Sequence, residues 1–243
     1  MRIALIADIH GNCVALDAVL AELEAARVDE LICLGDVAAL GPQPREVIAR
    51  LRERQCPVVM GNTDAWLLAP TPGDTVDANN RPLTRWSIAQ LSDIDRAYIR
   101  AFVPVVARPL DDRRTLLCAH GSPRSYDDAI TATTPAPALD AMIDGYDAAI
   151  MAGGHTHIQM LRRHQDMQIV NPGSVGLPGV GATSPPNQHV QWAEYAVIDV
   201  DGGHLTIALH RTPLDVERMI ATARASGMPD VAWWASKWEQ PSG

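Results

Sequence analysis

Asp8-Ile9-His10-Gly11-Asn12 comes directly after the apolar run Ile3-Ala4-Leu5-Ile6-Ala7. A short apolar run bounded by Gly and Asn reads as a buried strand, and residues two apart on extended backbone point to the same side. Asp8 and His10 are therefore expected to leave one strand end together. They form half of a divalent-metal site, with ligand types that suit manganese, iron, zinc or nickel. A single Asp-X-His pair is common by chance, so its weight depends on how many later strands end in the same way.

Working outward, Leu16, Val19, Leu20 and Leu23 recur at helical spacing over 14–26. Leu31 to Leu34 is a second apolar run, ending in Gly35-Asp36. Val47, Ile48 and Leu51 predict a helix over 44–55 with Pro44 in its first turn, where a missing N–H costs nothing. Val58 to Met60 reads as a third strand, ending in Gly61-Asn62-Thr63-Asp64. Strand, helix, strand, helix, strand is the pattern of parallel βαβ units, in which ligands bind beyond the carboxyl ends of the strands.

Residues 70–82 read as a loop, followed by helical segments over 83–91 and 93–102; Ser92 with Asp95 three residues on is an N-terminal cap for the latter. Trp66, Trp86, Tyr98 and Phe102 are expected to pack this insert onto the body, the alternative being that Trp86 or Arg85 lines a cleft. Strands resume at 114. Thr115 to Ala119 ends in His120-Gly121-Ser122-Pro123, and Ala148 to Ala152 ends in Gly153-Gly154-His155-Thr156-His157. Two hairpins follow, 158–170 with a turn at Gln165-Asp166 and 192–210 with a turn at Asp201-Gly202-Gly203. Asn171-Pro172-Gly173-Ser174-Val175 and a Gly- and Pro-rich loop to 188 lie between them. A helix over 214–226 precedes a tail carrying Trp233, Trp234 and Trp238, either an interface or a packed helix.

With 243 residues, the chain is expected to form a single domain, 1–243, with a helical insert over 65–104 and a C-terminal helix over 214–226. Hydrophobic content of 47% with 20% charged residues is globular, and no apolar stretch is long enough to cross a bilayer. The first apolar run stops at Asp8, too short for a signal-peptide core, so a cytoplasmic protein with no membrane partner is expected. The 4 Cys are widely separated with no Cys-X-X-Cys and read as reduced, buried thiols. A formal charge of -9 argues against a non-specific grip on nucleic acid. An anionic substrate then needs a local source of positive charge, and bound metal supplies one. Homo-oligomerisation is left open by the sequence.

Five separate strand ends thus present Asp8 and His10, Asp36, Asn62, His120, and His155 with His157. Two carboxylates, one amide and four imidazoles are too many ligands for one ion and suit two, with one carboxylate bridging. In order and spacing, DIHGN, LGD, GNTD, AHGSP and GGHTH followed by NPGSV resemble the motifs of the calcineurin-like metallophosphoesterase superfamily, closest to its small bacterial and archaeal phosphodiesterase branch. The resemblance runs over nearly the whole chain. It implies an α/β fold of two packed mixed β-sheets flanked by helices, a four-layer αββα sandwich. It also implies two divalent metal ions, manganese first, with iron, zinc or nickel as alternatives. Asp8, His10 and His157 would hold the first, Asn62, His120 and His155 the second, and Asp36 would bridge them. The implied activity is hydrolysis of phosphodiester bonds in a small phosphorylated substrate by metal-bound hydroxide.

Asp36, Asn62, Thr63 and Asp64 are then the candidate catalytic positions, and Asn12, Asn171 and Ser174 candidate substrate contacts, with turn chemistry the alternative for the 171–174 segment. Thr63 departs from the family pattern, where many relatives have a His that protonates the leaving group. General acid catalysis is worth roughly 100- to 10,000-fold, so its loss favours activated or cyclic diesters and phosphoanhydrides over alkyl monoesters. His189 in the late loop is a candidate substitute donor. The segment Val37 to Pro42 lacks the Arg of Ser/Thr protein phosphatases and of symmetrical dinucleoside tetraphosphate hydrolases. The alternatives to a phosphodiesterase are a nucleoside polyphosphate hydrolase and a non-catalytic scaffold of the same fold, as in a retromer subunit.

Overall fold

The computed structural model describes residues 1–69, 81–179 and 190–238. Strand β1 (Arg2–Ile6) lies parallel to β2 (Glu30–Cys33) and is joined to it by helix α1 (Cys13–Ala25). Asn12 caps α1 by accepting the Ala15 N–H at 3.1 Å, and Leu16, Val19, Leu20 and Leu23 form its buried face. Helix α2 (Pro44–Glu53) starts on its proline and buries Val47, Ile48 and Leu51. Val58 and Val59 make only isolated bridges, to Cys33 and Val103, so the third expected strand is reduced to a short extended contact. Gly61 and Asn62 turn straight into α3 (Asn62–Leu68), a helix that the run of motif residues concealed. Helices α4 (Arg81–Gln90) and α5 (Asp93–Arg100) follow, with α5 opened by the expected Ser92–Asp95 capping box.

The later chain supplies β3 (Val106–Pro109), β4 (Thr115–Cys118), α6 (Ala136–Ile143) and β5 (Ile150–Ala152). It continues with β6 (Met160–His164), β7 (Met167–Asn171), β8 (Trp192–Asp201), β9 (His204–Pro213), α7 (Val216–Ser226) and α8 (Val231–Ser236). Both expected hairpins form: β6 pairs antiparallel with β7, and β8 with β9. β3 and α6 lie outside the sequence reading. β3 is a four-residue edge strand ending in proline, without alternation, and α6 follows a Pro- and Thr-rich stretch that reads as loop.

The strands form two mixed sheets, ordered β2-β1-β8-β9 and β3-β4-β5-β7-β6. Ile3, Leu5, Ile32 and Leu34 of the first pack against Leu116, Cys118, Ile150 and Val170 of the second, closing a core between the sheets. Ala4 and Ile6 face the other way, onto Leu16, Val19, Val47 and Ile48 of the helices. On the far side Leu117, Met151 and Ile169 cover Leu139 of α6. The result is an αββα sandwich. All four cysteines are free and buried in it. Met219, Ala223, Trp234 and Trp238 join Val14 and Leu83 in a further cluster, so Trp234 and Trp238 belong to a packed helical tail. No helix among the described residues is long and apolar enough to cross a membrane.

The topology places the site. β1 and β2 are parallel, as are β4, β5 and β7, so the carboxyl ends within each set emerge at one edge. The residues just beyond those ends are Asp8, Asp36, His120, His155 with His157, and the 171–177 turn.

Candidate metal centre

Asp8 and His10 do reach one point, but not through extended alternation. β1 ends at Ile6, and Asp8 (φ 55) and His10 (φ 47) both lie in the left-handed region. Asp36 (φ 56), His155 (φ 67) and His157 (φ 58) do the same, so five of the seven expected ligands hold a backbone that costs a non-glycine residue roughly 1–2 kcal/mol each. Hydrogen bonds from neighbouring segments impose it. The Asp8 N–H donates to Gly35 O at 3.0 Å, His10 N–H to Asp36 O at 2.9 Å and Gly11 N–H to Val37 O at 2.9 Å. Gly41 and Gly176 close on this turn from either side. A Cβ on either would sit inside the contact radius of the His10 or the Ile9 carbonyl oxygen, so only glycine fits.

Three imidazoles are oriented alike. His10 Nδ1 lies 3.2 Å from Ala39 O, His120 Nδ1 2.7 Å from Leu34 O and His157 Nδ1 2.6 Å from Leu177 O. Each carbonyl accepts an Nδ1–H, which turns Nε2 toward the centre, the orientation that metal-ligating histidines take. His10 Nε2 and His157 Nε2 are only 3.1 Å apart. Asp8 Oδ2 accepts the His155 N–H at 3.0 Å, whereas Asp8 Oδ1 is fully buried with no hydrogen-bond partner, 3.3 Å from His157 Nε2. Two ring nitrogens and an orphaned carboxylate oxygen facing one another fit a divalent cation.

A second donor group adjoins it. Asn62 Oδ1 lies 3.1 Å from both His120 Nε2 and His155 Nδ1. Asp36 stands between the groups, with Oδ2 3.6 Å from His10 Nε2 and Oδ1 3.5 Å from His120 Nε2. Asp8, His10 and His157 form one cluster of metal-binding geometry, and Asp8, Asp36 and His120 another, so Asp8 as well as Asp36 faces both halves.

The charges are balanced internally. Burial raises the Asp8 carboxyl, but the charges of His157 and then His120 hold it below its ordinary value. Burial likewise opposes the ionisation of Asp36, and His120 followed by His10 outweighs it, so Asp36 is held well below the usual range. Against burial, the Asp36 charge and hydrogen bond raise His120 to about 10, and Asp8 raises His157. Burial takes His10 down to about 4 and lowers His155.

The other expected site residues lie behind this centre. Asp64 is fully buried; its Oδ2 accepts the Asp36 N–H at 2.8 Å and the Gly61 N–H at 3.2 Å, its Oδ1 the Val37 N–H at 2.9 Å. It braces the Asp36 turn. Thr63 donates its N–H to Asp36 Oδ1 at 2.9 Å, and its hydroxyl is buried without a partner. The polar atoms of the three expected substrate contacts are engaged with the protein's own groups. Asn12 caps α1 and donates Nδ2 to Gly176 O at 3.1 Å. Asn171 donates Nδ2 to Gly154 O at 2.7 Å and to Thr156 Oγ1 at 3.0 Å, and accepts the Gly173 N–H at 2.8 Å. Ser174 donates to Asp8 O at 2.7 Å and accepts the Leu177 N–H at 2.8 Å. His189 lies outside the described residues. Sequence reading missed Gly41, Gly176 and Leu177. Their only signal was glycine and leucine in otherwise ordinary loops.

Residues 1–203 match the family model described as the calcineurin-like phosphoesterase superfamily domain. A metallophosphoesterase from Sphaerobacter thermophilus is 27% identical, with a TM-score of 0.74 over 98% of this chain and 99% of that one. A hypothetical protein from Pyrococcus horikoshii shares the fold at 20% identity and a TM-score of 0.80, covering 98% of each chain. An uncharacterized protein of Methanocaldococcus jannaschii is 22% identical over 204 residues, 81% of this chain and 82% of that protein.

Proposed function

The chain belongs to the calcineurin-like phosphoesterase superfamily, and from that premise we propose that it is a dinuclear-metal-dependent phosphodiesterase acting on a small phosphorylated substrate. The observation that carries the reading is the orphaned Asp8 Oδ1 facing the Nε2 atoms of His10 and His157, beside Asn62, His120 and His155. Asp8, His10 and His157 would hold one ion and Asn62, His120 and His155 the other, with Asp36 placed between the two donor groups. When bound, two divalent ions, manganese first, lower the pKa of water and neutralise charge on the phosphoryl oxygens.

The chain's own groups do the rest. The carbonyls of Ala39, Leu34 and Leu177 keep three imidazoles from rotating. Asp64 and the Thr63 N–H hold the Asp36 carboxylate between His10 and His120. The half-buried His155 and His157 form the approach for substrate, since Asp8, Asp36 and His120 are closed off behind them. Thr63 is buried and its hydroxyl is far too weak an acid to protonate a leaving group near neutral pH. Substrates whose leaving group departs unprotonated are therefore preferred. That same feature supports a second reading, hydrolysis of phosphoanhydrides in nucleoside polyphosphates.

The test is the initial rate of manganese-reconstituted protein on an aryl phosphodiester and on the matching aryl monoester, with a chelated control. A chelator-sensitive diester preference supports the proposal. Turnover of a nucleoside polyphosphate but of neither aryl ester supports the second reading, and no turnover of any of the three refutes both.

A further inference from the structure

The 171–177 turn follows β7 of one sheet and leads toward β8 of the other, and it touches ligands from both. The Asp8 carbonyl oxygen accepts two bonds from it, the Gly176 N–H at 3.0 Å and the Ser174 hydroxyl at 2.7 Å. The Val175 N–H donates to Ala7 O at 3.0 Å. The same Ser174 oxygen accepts the Leu177 N–H, and the Leu177 carbonyl in turn accepts the His157 Nδ1–H. One fully buried hydroxyl therefore joins the backbone that aims Asp8 to the backbone that aims His157. It bears on Asp8 where φ is positive, a conformation that relaxes unless its carbonyl is held.

We propose that Ser174 is a positioning residue that couples Asp8 and His157 and thereby sets the affinity of one of the two metal positions, that of Asp8, His10 and His157. The inference rests on the metal-centre reading above, though not on turnover. Asn62, His120 and His155 make no hydrogen bond to Ser174 among those described; the hydroxyl reaches the other position only through Asp8, which also accepts the His155 N–H, so that position is expected to weaken less when the hydroxyl is removed.

The experiment is calorimetric titration of the chelated protein with Mn2+, in wild type and Ser174→Ala, with the visible absorption of Co2+-loaded protein as a second readout. Ser226→Ala, which deletes a hydroxyl bonded to Ala223 O at the end of α7, serves as the control for general destabilisation. Loss of an outer hydrogen-bond partner weakens a metal site by about 10- to 100-fold, so one of two binding events in Ser174→Ala falls by that factor while the other stays within about threefold. The Co2+ spectrum changes in Ser174→Ala and not in Ser226→Ala.

Two events unchanged in Ser174→Ala, or equally weakened, overturn the positioning role and leave the phosphodiesterase reading standing. Selective weakening in a protein that hydrolyses no phosphate ester upholds Ser174 and refutes that reading. Failure of the wild type to take up Mn2+ overturns both. Should Ser174→Ala not fold, Ser174→Cys, which keeps a weaker donor, decides by the same criterion.

Discussion

Asp64 accepts the backbone N–H of Asp36 at 2.8 Å and so holds in place a residue that itself stands between His10 and His120. Asp64→Ala leaves the N–H groups of Asp36, Val37 and Gly61 buried and unpaired. An unsatisfied buried donor costs about 1–3 kcal/mol. Stability in urea is expected to fall by about 2–4 kcal/mol once partial relaxation is allowed for, with Mn2+ affinity falling in parallel. Unchanged metal affinity in a destabilised variant would show that Asp64 supports the fold alone.

Asp36→Asn replaces the carboxylate that faces both donor groups with an amide of the same size. Both metal positions are expected to weaken together and turnover to drop by at least about 100-fold, the upper end of what loss of an outer partner produces. Metal content by elemental analysis after gel filtration checks this. A variant retaining two ions per chain and normal rates would remove Asp36 from its bridging place.

His120, raised to about 10, carries a proton in the metal-free centre at neutral pH, and an ion must displace it. Mn2+ uptake is therefore expected to release protons, and affinity to rise with pH by up to about tenfold per unit for each proton displaced. Titrations in buffers of different ionisation enthalpy count the protons. The stability of the chelated protein runs the other way. His120 has a folded value above its ordinary 6.5, so its contribution is complete below that pH and is lost as the pH rises through about 10. Excess Mn2+ raises Tm most at the alkaline end, and a Tm gain independent of pH would contradict the assignment of the His120 proton.

Gly41→Ala places a methyl group against the His10 carbonyl oxygen. Backbone must move, at a cost of about 1–3 kcal/mol, and the turn that aims Asp8 and His10 moves with it. Loss of one metal ion with retained far-UV circular dichroism is the expected result. A fully metal-loaded, equally stable variant would show that the 8–11 turn tolerates the shift.

The candidate ligands were legible in the sequence because residue identity is local. Asp8, His10, Asp36, Asn62, His120, His155 and His157 each follow an apolar run or its turn, and parallel strands bring such ends to one edge whatever the side-chain detail. The apolar periodicities of α1, α2 and the two hairpins were legible for the same reason. The Val58–Met60 run was misread because apolar composition alone cannot tell a strand from an extended contact that ends in a helix at Asn62. What the tertiary structure alone decided is direction. Five of the candidate ligands turn inward through positive φ, held there by carbonyls, by glycines and by a serine 166 residues away from the Asp8 oxygen it binds. For the same reason Asn12, Asn171 and Ser174 brace the centre from behind. Whether a polar side chain meets a ligand or a neighbouring backbone depends on which distant segment packs against it, and no local pattern of residues encodes that.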